Sequence, residues 1–285
     1  PYQQLGAPFV ANGQSAVFYP STLIHAGLSP TWSWVIVATL KLWLAGVGMW
    51  VLAGRYGLGS WGRLLSAIAF MLCGYSIVWL NHPHTNIHIL LPWAILALHR
   101  VIDRSASPAR WAVGAIVIAL GFLGGHPASS MHLLLFVGLV YLAHLVYLAP
   151  VKALQAIPGL AIALATGTLL AGAQLLPMLE YIDASAAKAW REGQLASGSA
   201  GFAPQYLLGA LFPYINGYPP DRITPYQISL ATGLSNTNEI AGAFIGTISL
   251  LFIGFAFAYR RSRIVIVYGV IALLAILIAI RFPGI

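Results

Sequence analysis

Six of the eight histidines (His25, His82, His84, His88, His126 and His132) lie in or beside short polar stretches. There an imidazole could bind a metal, move a proton or hydrogen-bond a ligand. The stretches are Ala11-Asn12-Gly13-Gln14-Ser15-Ala16-Val17-Phe18-Tyr19-Pro20, Asn81-His82-Pro83-His84-Thr85-Asn86, Gly125-His126-Pro127-Ala128-Ser129-Ser130 and Gln174-Leu175-Leu176-Pro177-Met178-Leu179-Glu180. His82, His84 and His126 could ligate a divalent metal, with Glu180 or Asp183 completing the set. The spacing equally suits histidines that cap turns and bond carbonyls, because no His pair at i, i+4 is followed by an acid. No metal ligand is therefore assigned, and the cofactor is left unknown. Glu180 ends an apolar run beside Leu179 and Pro177, where partial desolvation would suit a carboxylate to general-base work. The alternative is a solvated helix end paired with Lys188 or Arg191. Glu239 opens a predicted helix, where its charge complements the macrodipole. No Ser/His/Asp order, P-loop or CxxC is present, and the single cysteine, Cys73, excludes an intrachain disulfide.

The elements that carry these residues are set by composition. Of 285 residues, 59% are hydrophobic and 7% charged, with a net charge of +8. So few charges could not coat a soluble globule, and the hydrophobicity excludes disorder. The cations form no stripe that could track phosphates, so nucleic acid is excluded as a partner and the lipid bilayer is implied. A crossing helix needs about 20 mainly apolar residues. That length predicts spans near 32–53, 63–80, 86–102, 110–125, 128–149, 154–178, 240–258 and 264–280, an all-α polytopic membrane protein of about eight helices. The third is interrupted by His88, Pro92 and His99, and Pro92 is expected to kink it. The chain divides into an external segment 1–31, a six-helix bundle 32–179, a long external loop 180–239 and two further spans in 240–285. Within the loop, 202–214 reads as an amphipathic helix lying at the interface.

Loop charge fixes the sides. Arg55, Arg63, Arg100, Arg104, Arg110, Lys152, Arg260, Arg261 and Arg263 fall on one side with Asp103; Lys188, Arg191, Arg222 and Arg281 fall on the other with the remaining acids. The first set is then cytoplasmic and the polar stretches are outside. Trp32, Trp34 and Trp79 mark outer span ends, and Trp50, Trp61 and Trp111 inner ones. Lys41 falls inside the first span, where it must face a polar interior or bond the carbonyls of a broken helix. GxxxG matches at Gly121–Gly125 and Gly242–Gly246, and the small residues of 161–173, suit close helix contacts. Pro1 and the apolar run that closes at Ile285 suggest a piece of a longer chain. With 1–31 outside, an upstream span or cleaved signal is expected.

In their order, the outer motifs resemble the YfhO family of bacterial membrane proteins. The likeness rests on Gly6-Ala7-Pro8-Phe9-Val10-Ala11-Asn12 with Gln14 to Pro20, Leu44-Ala45-Gly46-Val47-Gly48-Met49, Asn81-His82-Pro83-His84, Gly125-His126-Pro127, Gln174-Leu175-Leu176-Pro177 with Glu180, and Leu211-Phe212-Pro213. It covers most of the chain. The resemblance implies a GT-C-like glycosyltransferase of the bacterial cytoplasmic membrane. It would take a sugar from a polyprenyl-phosphate donor and pass it to an envelope polymer, as in teichoic-acid glycosylation, on the extracytoplasmic face. It implies Glu180 as the catalytic acid among the residues present, with Gln14, Tyr19, Asn81, His82, His84, Asn86, His126 and Gln174 binding substrate. One departure is plain: GT-C enzymes usually carry a catalytic acid in the first external loop, whereas residues 1–31 contain no Asp or Glu. That acid is expected upstream of Pro1, and the piece alone is then inactive. Two other readings are a transporter or flippase for a lipid-linked or small polar solute, with Lys41 on its path, and a non-catalytic membrane subunit.

Overall fold

A computed structural model describes residues 8–185, 188, 192–193, 208–212, 244–259 and 262–279. Among these no strand occurs. The helices are α1 (Ser21–Gly27), α2 (Pro30–Arg55), α3 (Ser60–Met71), α4 (Gly74–Val78), α5 (Pro83–His88), α6 (Leu91–Asp103) and α7 (Pro108–Leu123). There follow α8 (Pro127–Ala143) with a π-helical turn at His144–Leu148, α9 (Pro150–Leu170), α10 (Gly172–Asp183), α11 (Thr247–Tyr259) and α12 (Arg263–Ala279). Prolines open α5 to α9 at the first or second position, where the missing N–H costs no helix bond. Pro30–Arg55, Pro83–Asp103, Pro127–Leu148 and Pro150–Leu170 are long and apolar enough to cross a bilayer, and α7, α11 and α12 are shorter apolar helices. The protein is a helical membrane protein.

The side-chain pattern of α9 shows which solvent it meets. Its buried stripe is Ala153, Ala156, Gly159, Ala163 and Gly167, while Leu154, Ile157, Ile162, Leu164 and Leu169 point outward. Small residues inside and large aliphatics outside reverse the soluble pattern and suit a helix packed on protein but bathed in lipid. The stripe faces α7 at close range. A Cβ built on Gly159 would strike the Trp111 indole, whose Nε1 donates to the Ser105 carbonyl at 2.6 Å. The chain falls into two compact units, the first formed by residues 1–41 with 81–200 and the second by 42–80 with 201–285. In the first, α6 is the central element, with Pro92, Ala94 to His99, Val101 and Ile102 all buried.

Three of the predicted spans are broken. The predicted 63–80 crossing divides into α3 and α4, each too short to span alone. Cys73 is extended, the Gly74 amide donates to the Phe244 carbonyl at 2.7 Å, and the Ser76 hydroxyl bonds the Phe70 carbonyl, so the helical ladder is interrupted. The third predicted span breaks just before Pro92, which sits in the first turn of α6. The sixth, 154–178, ends as α9 at Leu170, and the chain restarts as α10 after Ala171. In the second unit Arg63 lies over the Trp50 ring at 4.6 Å and donates to the Trp50 carbonyl, fixing α3 against α2. Most of the 202–214 helix, Glu239 and the start of the Gly242–Gly246 motif lie outside the described residues. Residues 208–212 form one turn, with the amides of Leu211 and Phe212 on the Leu208 carbonyl.

Candidate functional site

In the first unit, residues 8–20 are a short non-helical segment without the hydrophobic period of a helix, so side chains from elsewhere must hold it. Gln174, 2% exposed on α10, does so: its Nε2 donates to the carbonyls of Val10 and Asn12. Asn12 in turn accepts the Ser15 amide at 3.0 Å, and its side chain accepts the Gln14 amide at 3.0 Å. The segment then enters a left-handed turn at Ala16, φ 48°, a conformation that costs a residue bearing Cβ about 1–2 kcal/mol. Its neighbour is Gly125, φ 86°, where a Cβ would stand 2.7 Å from that of Ala16. Only glycine fits there. Tyr19 follows, buried, and its hydroxyl donates to the Asn86 carbonyl at 3.2 Å. Burial pushes the Tyr19 phenol up from its ordinary range, so it stays a donor.

Asn86, 4% exposed in α5, completes the closure. Its Nδ2 donates to the Gly124 carbonyl at 2.9 Å, tying α5 to the end of α7. The same two elements bring the histidines together. His84 stacks on His126 with ring centroids 3.6 Å apart, and His82 meets His84 edge-on at 6.2 Å. His126 caps α8, where its Nδ1 accepts the Ser129 amide at 3.2 Å and contacts the Ser129 hydroxyl at 2.7 Å. An Nδ1 that accepts an N–H carries the lone pair, so in the neutral ring the proton is on Nε2. Lys41 is 6% exposed and its ammonium donates to the His82 carbonyl at 3.4 Å. The turn that precedes α5 thus supplies the carbonyl that holds Lys41.

Three oxygens around the segment are buried with no hydrogen-bond partner among the described residues: Ser15 Oγ, Asn86 Oδ1 and Gln174 Oε1. The donor bonds of Asn86 and Gln174 fix which amide atom is the oxygen. Leaving such an acceptor unmet costs about 1–3 kcal/mol. Ser15 is bonded to Asn12, which bonds Gln174, and Ser15 adjoins Ala16, which packs on Gly125 beside the carbonyl that Asn86 holds. The three therefore belong to one contact chain. Chemically they call for O–H or N–H donors.

The remaining expectations fall differently. Gln14 and Asn81 are exposed at the surface, Asn81 beside exposed His82. Glu180 is exposed on α10, about 200° around the helix from buried Met178. Its side chain makes no hydrogen bond, ion pair or ring contact with His82, His84 or His126, and the desolvation that favoured it as a base is not there. Nor does it pair with Lys188, which binds Asp183 at 2.8 Å, the aspartate pushing the ammonium's proton affinity up. Among the described residues no three His, Cys, Asp or Glu could hold a metal ion. Sequence reasoning missed Ser15 and the Ala16–Gly125 contact; an acid-free polar segment opposite a Gly-His-Pro turn was the available signal. An apolar cavity of about 80 Å³ lies between α6, α7, α8 and α9, walled by Leu98, Gly114, Phe122, Leu133 and Ala163. Its one polar lining side chain, Ser130, is satisfied by the Gly121 carbonyl at 2.7 Å. No family model, curated protein or solved structure matches the chain.

Proposed function

We propose that this protein is a GT-C-like membrane glycosyltransferase of about eight spans in the bacterial cytoplasmic membrane. It moves a sugar from a polyprenyl-phosphate donor to an envelope polymer of the teichoic-acid kind on the extracytoplasmic face. The observation that carries this reading is the set of buried acceptors, Ser15 Oγ, Asn86 Oδ1 and Gln174 Oε1, which sugar hydroxyls are suited to satisfy. The apolar cavity supports it by offering hydrocarbon surface between membrane helices. The order of the outer motifs supports it by resemblance to the YfhO family.

In the proposed reaction the acceptor hydroxyl attacks the anomeric carbon. A new C–O bond to the polymer forms as the bond to the phosphate oxygen breaks, and the hydroxyl proton passes to a base. The phosphate departs as an anion, so donors around it lower the barrier. Tyr19 and Gln174 hold the segment that carries Gln14 and Ser15, while Asn81, His82, His84, Asn86 and His126 line the same end. Glu180, exposed and open to a polymer, is the proposed base among these residues. The test compares sugars on purified envelope polymers from wild type, a deletion strain, and that strain complemented with wild type or with Glu180→Gln. The reading expects one sugar to disappear on deletion and to return with the wild-type gene. Restoration by Glu180→Gln moves the base to another residue, and an unchanged sugar profile on deletion contradicts the transferase in favour of a transporter.

A further inference from the structure

We infer that residues 8–15 form a strap, latched by Gln174 and hinged at Ala16. It opens to admit a ligand rich in O–H and N–H donors and closes on it. Little apolar area holds the strap down. Ala11 is buried, but Phe9 and Val10 are exposed, as is Phe18 beyond the hinge. A segment that buries so few apolar groups belongs to the least stable part of a fold. Two other contacts hold it: the Gln174 side-chain amide donates to the Val10 and Asn12 carbonyls, and Gly13 packs on Pro127 and Met178. The chain beyond the hinge is anchored separately. The Tyr19 hydroxyl donates to the Asn86 carbonyl at 3.2 Å, and the Thr22 hydroxyl to the Ala16 carbonyl at 2.8 Å. Between latch and anchor stands Ala16 at φ 48°, a left-handed conformation that a residue with a Cβ relaxes when the chain is released.

The balance of donors makes the strap respond to a ligand. With the strap closed, Ser15 Oγ and Gln174 Oε1 are buried and meet no donor among the described residues, and the same holds for Asn86 Oδ1. Opening lifts Ser15 away and uncovers Gln174, so both oxygens meet water and the hinge loses its strain. A ligand whose O–H or N–H groups reach these oxygens supplies under the closed strap what water supplies to the open one. It therefore binds the closed form in preference and draws the strap shut. The ligand needs no charge for this, because the latch is a neutral amide and residues 8–20 contain no Asp, Glu, Lys or Arg. The inference deepens the transferase reading and rests on it only for taking that ligand to be a sugar; strap opening is measured with no sugar present.

The full-length protein in nanodiscs, carrying one new thiol at a time from Gln14→Cys, Ser15→Cys or Ser130→Cys, is treated with a charged thiosulfonate reagent. Labelling rates are read by mass spectrometry of the peptide concerned. Exposed Gln14 gives the open rate, and Ser130, 2% exposed in the same unit, reports unfolding of that unit. Position 15 is expected to label about tenfold or more slowly than position 14, and Gln174→Leu to raise its rate about tenfold, while position 130 stays unlabelled. Ala16→Gly, which accepts the left-handed turn without strain, is expected to slow position 15 about threefold. Equal rates at positions 14 and 15 overturn the inference, as does a folded Gln174→Leu protein with an unchanged rate at position 15. So does acceleration of positions 15 and 130 together, which marks unfolding of the unit rather than a strap. If Gln174→Leu does not fold, Ala16→Gly decides alone, and an unchanged or faster rate sinks the strap. A strap that opens in a protein that moves no sugar refutes the transferase and leaves the strap standing. Transfer by a protein whose position 15 labels as fast as position 14 does the reverse.

Discussion

Replacing Asn86 with Asp is expected to destabilise the folded protein by about 3–5 kcal/mol near neutral pH, with much of the loss recovered in acid. The Nδ2 of Asn86 donates to the Gly124 carbonyl at 2.9 Å in a site that is 4% exposed. A carboxylate there faces a carbonyl oxygen with another oxygen and carries a charge into a buried position. Once protonated, the same carboxyl offers an O–H that can take over the lost bond. The sign follows from burial: the folded state raises the proton affinity of the new acid above that of the unfolded chain. Stability is therefore present at low pH and lost as pH rises through the folded-state pKa. Asn86→Leu removes the donor and also the Oδ1 oxygen that has no partner, so its cost is smaller, about 1–3 kcal/mol, and independent of pH. Melting curves of the three proteins at about pH 5 and pH 8 separate the cases. An Asn86→Asp protein as stable as wild type at both would show that the α5–α7 closure is not made by this amide.

Gly167→Leu is expected to cost about 2–3 kcal/mol by forcing α7 and α9 apart. A Cβ on Gly167 would stand 2.7 Å from the Ala115 carbonyl oxygen and 2.7 Å from the Ile118 Cβ. The first of these is backbone and cannot turn aside as a flexible side chain would. Without a strong hydrophobic driving force between helices in lipid, such close packing is a main source of cohesion, and separating the backbones forfeits it along the whole contact. Gly138→Leu is the matched control, since a Cβ on Gly138 in α8 has nothing within 4 Å. Relative melting temperatures in one detergent provide the measurement. Equal effects at both positions would contradict the packing account.

What the sequence could tell depended on how local the cause was. The cores of the long apolar helices were legible because length and hydropathy alone decide whether a segment prefers lipid. The small residues of 161–173 announced a close contact, and α9 makes one. Pro92 announced the break in the third predicted span, and a carbonyl partner for Lys41 was one of its two expected environments. The breaks at Cys73 and Ala171 were not legible. The first depends on a hydrogen bond from Gly74 to Phe244, far along the chain, and the second falls within an unbroken apolar run. The candidate site was legible as a set of polar stretches but not as an arrangement. The hold of Gln174 on Val10 joins residues separated by 164 positions, and stacking of His84 on His126 joins two turns whose order says nothing of their distance. Glu180 shares a stretch with Gln174, yet helical phase puts it on an exposed face.

The most direct test of the central claim uses the purified full-length protein, a polyprenyl-phosphate sugar labelled in the sugar, and envelope polymer from a strain lacking the gene. Transfer of label to the polymer, with release of polyprenyl phosphate in equal amount, is the result the transferase account predicts. A double replacement, Ser15→Ala with Gln174→Leu, should reduce it by removing two of the three buried acceptors. Failure of the active-folded protein to move label to polymer, while vesicles containing it carry the intact labelled lipid or a free solute across the bilayer, would contradict the account and make the protein a transporter.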